Sequence, residues 1–304
     1  MTQNPAWNGC PRRFSLRPDA SGPDETEQLG CASVVAHLRE AGCVFAEDEA
    51  RILMQTAQEC SFDRAERYAT LVELLARRVA GEPLEQVVGW VEFAGLRIAV
   101  APGVFVPRQR TTLLATQSIK AVQSVKAAGR GVKDAACAAR FLEAFCGVGA
   151  VATAVSRAIP GTQIHLGDHD ETALGCARMN VGPRAHAHLL KTLTGLPQTL
   201  VGGFDAISAV PPYVPDSAAK FLPREAVDHE APTALFGGAD GLDLVRGLIT
   251  ESRQWLAPGG VVLIELGSEQ RHSASDFATT LGFRTRSVLG DDEQTAVLKL
   301  RLSR

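Results

Sequence analysis

Two short stretches carry residue types able to do chemistry at a strand end. The first is Ser208-Ala209-Val210-Pro211-Pro212-Tyr213-Val214-Pro215, which closes the apolar run 204–209. Consecutive prolines neither continue a sheet ladder nor begin an ordinary helix, so they fix a rigid, extended backbone at the sheet's rim. Tyr213 follows at once, its hydroxyl free to enter a cleft. Rigid loops at the carboxyl ends of strands are where open α/β sheets bind ligands, so this loop is read as the floor of an active site. The second stretch is Gly147-Val148-Gly149 at a strand-to-helix turn, followed one strand later by Asp168. Glycines there let a ligand approach the backbone, and the helix N-terminus offers free N–H groups. A carboxylate at the end of the next strand can accept hydrogen bonds from both hydroxyls of a ribose. Asp168 also has a structural alternative, capping the helix that starts near Glu171, although Asp170 fills that role equally well. Together the two features favour a nucleoside-containing ligand, while the missing G-x-G-x-x-G pattern argues against a nicotinamide cofactor.

The elements that must position these residues follow from periodicity. Residues 31–80 read as helices: Val34, Val35, Leu38, then Ala46, Ala50, Ile52 and Leu53 fall near helical spacing. Tyr68, Leu71, Val72, Leu74, Leu75 and Val79 form a second stripe, with Arg77 and Arg78 in its last turn facing the negative end of the helix dipole. Residues 87–93 and 96–100 read as a hairpin around Ala94-Gly95, and Val104 to Arg108 runs out to a rim. Thr111 or Thr112 is positioned to cap a helix over 113–125, and 126–138 reads as a surface connection. Strands are expected at 140–145, 162–168, 186–190, 204–209 and 261–266, with helices at 150–159, 171–180, 241–256 and 269–281 between and after them. Pro258-Gly259-Gly260 stops the helix before the fifth strand. Strand–helix alternation predicts a mostly parallel sheet covered on both faces. The last two strands, at 283–285 and 295–302, lie close enough in sequence to pair antiparallel.

Composition narrows the class. The chain has 304 residues, 45% hydrophobic and 21% charged, with a net charge of -3 and no dense basic run, which gives no argument for nucleic acid. No apolar run is long enough to span a membrane, and residues 1–30 lack the apolar segment of a secretory signal, so they read as a loose tail. The seven cysteines (Cys10, Cys31, Cys43, Cys60, Cys137, Cys146 and Cys176) form no C-x-x-C pair. Neither a metal knuckle nor a disulfide framework is supported, and reduced thiols in a cytoplasm are the expectation. Cys146 lies in the glycine turn; with no His beside it in sequence, it reads as a small pocket-lining residue rather than a nucleophile.

Several runs give the chain a resemblance to the HemK/PrmC-type protein glutamine methyltransferases over roughly residues 77–302. They are Ala80-Gly81-Glu82-Pro83-Leu84 with Gly89-Trp90-Val91-Glu92-Phe93, then Gly103-Val104-Phe105-Val106-Pro107-Arg108, then Leu222-Pro223-Arg224-Glu225, and the most specific, Ala234-Leu235-Phe236-Gly237-Gly238-Ala239-Asp240-Gly241-Leu242. The resemblance implies an α/β fold with a seven-stranded, mostly parallel, Rossmann-like sheet that binds S-adenosylmethionine (SAM). It implies a tail at 1–30, a small helical N-terminal domain at 31–80, a β-hairpin bridge at 81–110 and the SAM-binding domain at 111–304. SAM is expected against Phe105, Pro107, Arg108, Glu143, Phe145, Gly147, Gly149, Asp168 and His169, with Asp168 on the ribose. The reacting atoms are expected beside Val210, Pro211, Pro212 and Tyr213. No metal, nucleic acid or membrane is expected as a partner; the acceptor is a small molecule or a peptide.

The chain departs from the family where ligand and acceptor meet. The family methylates a glutamine side-chain amide of release factors, and its loop reads Asn-Pro-Pro-Tyr. The Asn carbonyl and a proline backbone carbonyl take the two amide N–H groups and aim the nitrogen lone pair. Here the first position is Val210, which has no acceptor. Phe145 adds bulk to the glycine turn, Lys191 stands where the family has an acid on the adenine side, and Thr111-Thr112 replaces Thr-Glu. Three readings stay open: methyl transfer to a changed acceptor, an amine or a small molecule; self-reaction of SAM to a cyclic amino acid and methylthioadenosine, with Phe145 and Tyr213 facing the sulfonium; and a non-catalytic scaffold. Intact Gly237-Gly238 and Pro258-Gly259-Gly260 favour repurposing over decay. Glu265 faces either the cleft or a neighbouring helix, and His229 and Glu230 read as loop-ordering residues before acid and base.

Overall fold

A computed structural model describes residues 30–127, 138–221 and 232–303, which divide into two compact units, Met1–Gly89 and Trp90–Arg304. The tail, the glycine- and lysine-rich connection, the Leu222-Pro223-Arg224-Glu225 run, His229 and Glu230 lie outside the described residues, apart from the first and last few positions of those stretches.

The first unit holds helices α1 (Cys31–Glu40), α2 (Ala46–Cys60), α3 (Arg64–Val79) and α4 (Leu84–Val88). Its core is Val34, Leu38, Ala50, Leu53, Leu71, Leu74 and Leu75. Tyr68, Val72 and Val79 are exposed, so the apolar stripe of α3 is narrower than its composition suggests. Asp63 caps α3 by accepting the Glu66 N–H at 2.9 Å. Arg77 and Arg78 do more than face a dipole. Arg77 donates to Glu82 and to the carbonyls of Gln86 and Val87, and Arg78 donates to Glu49 at 2.6 Å and to the Glu82 carbonyl at 3.0 Å. Val87 and Val88, expected in a strand, close the short helix α4, which Gly89 ends in a left-handed conformation at φ 78°.

The second unit opens with the hairpin β1 (Trp90–Phe93) and β2 (Leu96–Ala99), paired antiparallel as expected. A 3-10 turn, Gln109–Thr111, leads into α5 (Thr112–Ala127). Neither threonine serves as the expected cap: Thr112 donates to the Gln109 carbonyl, and Thr111 donates to Glu265. The elements β3 (Arg140–Ala144), α6 (Ala150–Ala158), β4 (Gln163–Asp168), α7 (Glu171–Val181), β5 (His186–Leu189), β6 (Phe204–Ala209), α8 (Asp243–Trp255), β7 (Leu256–Gly267), α9 (Arg271–Thr280), β8 (Phe283–Leu289) and β9 (Thr295–Leu302) follow. They build a seven-stranded sheet in the order β5-β4-β3-β6-β7-β9-β8, parallel except for the two pairings of β9. Pro258-Gly259-Gly260 does not precede β7 but lies inside it, where the register with β6 shifts and the ladder is interrupted.

Strand residues alternate between two cores. Phe141, Ala206, Leu263 and Val297 face the side covered by α5, α6 and α7; Leu142, Ile207, Val262 and Leu298 face α8 and α9. The order of strands reverses at β3 and β6, and Ala144 pairs with Ala209 there. Side-by-side strand ends at such a reversal open a crevice, and both stretches singled out above begin at its lip. Among the described residues no helix is long and apolar enough to cross a membrane.

One buried group makes this fold sensitive to acid. His165 on β4 is 4% exposed, stacks on His186 and His188 of β5, and meets the edge of Phe204. Burial and the repulsion of His188, His186 and Arg140 hold its pKa down at about 3. The folded protein therefore keeps this ring neutral, a contribution that is complete above the ordinary value near 6.5 and is lost as pH falls from there toward 3. Urea midpoints measured at pH 7.5 and pH 5.0 are expected to drop more for the parent than for His165→Leu; an equal drop would show that another group sets the acid sensitivity.

Candidate active site

Past Ala144 the chain turns sharply. Phe145 takes φ 53°, Gly147 φ 49° and Gly149 φ 71°. A phenylalanine in the left-handed region costs about 1–2 kcal/mol, so the surroundings must hold it there. They do so through Cys146, whose N–H donates to the Gly167 carbonyl at 3.1 Å, and Gly149, whose N–H donates to Cys146 at 2.7 Å. Glu143 anchors the turn from below. Its buried carboxylate accepts the Val151 and Ala152 N–H groups at 3.3 and 2.6 Å, filling two of the otherwise open donors at the start of α6. Burial pushes its pKa up to about 8 against the pull of those donors. Glu143 thus reaches the site only through the turn it holds. Burial also pushes the Cys146 thiol well up, which removes the thiolate a nucleophile would need and suits the pocket-lining reading.

Asp168 ends β4 beside this turn. Its Oδ2 accepts the Gly147 N–H at 2.9 Å, its Oδ1 accepts the Asp170 N–H at 3.1 Å, and the His169 ring nitrogen Nδ1 stands 3.1 Å from Oδ1. The helix-cap alternative falls to Asp170, which accepts the Thr172 N–H at 2.8 Å. Lys191 is exposed on a tight turn that α8 steadies through Glu251, which accepts the Leu193 N–H at 2.9 Å. Nothing in the structure explains a lysine at that position.

The rim segment lies over the same turn: a Cβ at Gly147 would meet only the Phe105 carbonyl oxygen, at 3.9 Å. Val104 and Val106 are buried, leaving Phe105 and Pro107 half-buried, and the Arg108 guanidinium sits 4.9 Å from the centre of the Phe105 ring. Pro211 and Pro212 are buried, with Val210 and Tyr213 half-buried on either side. The glycine run explains its own composition. A Cβ at Gly237 would collide with the Pro212 carbonyl and one at Gly241 with the Tyr213 carbonyl, so only glycine lets 235–241 pack against the loop. Val214 donates to the Leu235 carbonyl and accepts the Gly237 N–H in strand-like fashion, and Gln270 donates to the carbonyls of Tyr213 and Asp240.

Arg110, Thr111, Tyr213 and Glu265 gather below the loop. Thr111 donates to Glu265 Oε1 at 3.1 Å, and Arg110 Nε lies 3.9 Å from the same oxygen. Burial pushes the Glu265 carboxyl up to about 7, and burial plus the Glu265 charge raise the Tyr213 phenol. Of the expected site residues, Phe105, Gly147 and Asp168 come together at the glycine turn, Phe145 and Val210 follow the paired ends of β3 and β6 but pack on opposite faces of the sheet, and Tyr213 lies near Arg108 and Arg110. Sequence reading gave Asn180, Gln270 and Arg110 no role, and Thr111 only that of a helix cap. Asn180 on α7 exchanges two hydrogen bonds with the Ala99 backbone and donates to the Val148 carbonyl at 2.8 Å, fastening the hairpin to the glycine turn. An asparagine inside a helix, where it is a poor former, was the signal available. Among the described residues no cluster of His, Cys, Asp and Glu is placed to hold a metal ion.

No protein-family model matches the chain. Curated relatives do. A release factor glutamine methyltransferase of Streptomyces coelicolor is 35% identical over 71% of this chain and 72% of its own, and that of Moorella thermoacetica is 32% identical over 88% and 94%. A 4-amino-L-phenylalanine/4-methylamino-L-phenylalanine methyltransferase of Streptomyces pristinaespiralis is 31% identical over 64% of each chain. Among solved structures, a ribosomal protein L11 methylase from Lactobacillus delbrueckii aligns with a TM-score of 0.46 and 14% identity, over 68% of this chain and 86% of that one.

The packing of the turn is directly testable. A Cβ at Gly149 would stand 2.8 Å from Ala177 Cβ on α7, at a backbone φ of 71°. Gly149→Ala is expected to cost about 2–4 kcal/mol, from overpacking and left-handed strain together. Adding Ala177→Gly removes the 2.8 Å overlap but leaves the Ala177 Cα at 3.1 Å and the strain, so, after the cost of a glycine inside α7, it should recover part of the loss. Thermal unfolding of the three proteins checks this; no recovery in the double variant would mean that the helix contact is not what requires glycine.

Proposed function

This chain belongs to the release factor glutamine methyltransferase family, and on that premise we propose that it methylates an acceptor other than the release-factor glutamine amide. It is a SAM-dependent methyltransferase of the PrmC type, and SAM, when bound, supplies an electrophilic methyl group on a sulfonium. The residues present fit such a cosubstrate. The space over Gly147 is open, since a Cβ there would have no neighbour closer than 3.9 Å. Asp168 accepts from the backbone on both oxygens yet keeps lone pairs for a ribose diol, because an ionised carboxylate has about four acceptor positions. In this reading Gly147 and Gly149 carry the nucleoside side, Asp168 with His169 holds the ribose, and Phe105, Pro107, Arg108 and Phe145 wall the turn; Glu143 keeps its shape.

The observation that carries the changed acceptor is Val210. Its side chain packs against the apolar cluster on the α5 face and offers no hydrogen-bond acceptor. A site that relied on such a bond and lost it would discriminate against the amide by about 10⁴-fold or more. Pro211 and Pro212 keep the loop rigid, and the Pro212 and Tyr213 carbonyls are turned into the glycine run and Gln270. In this reading the Pro211 carbonyl is a backbone group that orients the substrate by positioning alone. The relative named for 4-amino-L-phenylalanine supports a nitrogen acceptor that is not a carboxamide.

Two measurements test the reading. Incubation with SAM and a panel of primary amines should yield S-adenosylhomocysteine and a methylated amine by mass spectrometry, and Asp168→Ala should weaken SAM binding about 10- to 100-fold in calorimetry. Methylthioadenosine as the nucleoside product would overturn methyl transfer, and unchanged affinity would remove Asp168 from the site. Separately, Val210→Asn is expected to raise methylation of a glutamine-containing peptide and lower that of the preferred amine; no change in either would show that position 210 does not choose the acceptor.

A further inference from the structure

Glu265 holds the least expected atom in the protein. The residue is 1% exposed, and its Oε2 is buried without a hydrogen-bond partner among the described residues. An unpaired buried carboxylate oxygen is costly, so a native structure retains one only where something is gained. Its place in the sheet says what. β6 and β7 are parallel and in register at Ala209 and Ile264, so the next pair in line is Val210 and Glu265. Neighbours in register on parallel strands lie about 5 Å apart and point to the same face. Here both side chains belong to the face covered by α5: Val210 packs on that cluster, and Glu265 takes its hydrogen bond from Thr111 at the start of α5. The position that lost a neutral acceptor therefore stands beside one with an anionic acceptor to spare.

We propose that Glu265 Oε2 receives the acceptor nitrogen, in place of the side-chain carbonyl missing at Val210, and that the acceptor class is a basic amine rather than a carboxamide. The inference rests on the methyltransferase reading above and names its substrate class. A buried carboxylate with one free oxygen discriminates for a cation over a neutral amide. A cation already stands beside this carboxyl: the Arg110 guanidinium, 45% exposed, approaches Oε1 at 3.9 Å and leaves Oε2 to the incoming ammonium. The proton balance closes. An ammonium substrate gives one proton to Oε2, the freed lone pair forms the new C–N bond as the methyl C–S bond breaks onto sulfur, and Glu265 then releases the proton to solvent. The groups facing the carboxyl are Arg110 and Thr111 from the 3-10 turn, Tyr213 from the loop after β6, and Asp292 from the β8–β9 turn. With its pKa held near 7 by burial, the carboxyl is ionised at pH 8 and mostly neutral at pH 6.

The test is calorimetric and uses two probes of one shape, benzylamine and benzamide, titrated into the full chain saturated with S-adenosylhomocysteine. The expected result is benzylamine binding about 10-fold or more tighter than benzamide at pH 8, with the preference shrinking at pH 6, where benzylamine is still cationic but the carboxyl is not. Glu265→Gln should erase the preference at both pH values while keeping the Thr111 bond and the unfolding temperature. Thr111→Val, which removes the bond to Oε1 alone, should lower the unfolding temperature and keep the preference, a separation that a purely structural Glu265 would not give. Equal binding of the two probes, binding of neither, or an unchanged preference in Glu265→Gln would overturn the proposal. Failure of S-adenosylhomocysteine itself to bind would instead bring down the methyltransferase reading, and this inference with it.

Discussion

The rest of the molecule depends on the pairing of Ala144 with Ala209 at the end of β3 and β6. The strand order runs outward in opposite directions from this pair, so no helix crosses in front of it and the sheet edge stays open. Alternation along each strand then decides what stands at the lip. A slip of one residue would send Leu142 and Ile207 to the wrong core and turn every side chain at the edge to the other face. Because Phe141, Leu142, Ala206 and Ile207 are all fully buried, that slip is excluded by packing, and the residues that follow the paired strand ends take opposite faces, Phe145 on the α8–α9 core and Val210 on the α5 core.

Three carboxylates end up at or near the same edge, and their surroundings give them different work. Glu143 spends both oxygens on the amides of α6 and so stiffens the turn. Asp168 spends its oxygens on the backbone of Gly147 and Asp170 but sits where the two loops part, with lone pairs remaining. Glu265 spends one oxygen on Thr111 and leaves the other unpaired among the described residues. Environments that separate otherwise identical groups in this way are how one fold assigns structural, binding and proton-accepting roles to a single residue type.

What the sequence disclosed follows the same physics. Strands whose two faces are both buried read as predominantly apolar runs bounded by turn residues, which is why β3, β6 and the 261–266 stretch of β7 and the loops that end them were legible. The glycine turn and Asp168 were legible because backbone conformation and chain direction demand particular residues there. The missed features are those where a side chain answers to something distant in sequence. Asn180 reaches Ala99, Gln270 reaches Tyr213, and Thr111 reaches Glu265, and no local period records such partners. The short helix at Leu84–Val88 was hidden because two valines read as strand while the arginines of α3 took up the carbonyls that let the chain coil there. The Pro-Gly-Gly within β7 misled for a related reason: an irregular ladder tolerates residues that a regular one excludes.

The pattern of what changed and what did not separates two constraints usually found together. Gly237 and Gly241 shape the loop through backbone contacts that admit no side chain, and Pro211 and Pro212 stiffen it by fixing φ. Val210 shapes nothing: it is half-buried, packs on one cluster, and could be exchanged for a polar residue of similar size without moving the backbone. A site that positions its substrate with rigid carbonyls and a separate side chain can therefore alter the side chain alone, keeping the donor end intact. The direction of such a change is then set by what stands next to the altered position. At this sheet edge the neighbour in register is a buried acid, and a buried acid beside an apolar residue prefers a partner that brings its own positive charge.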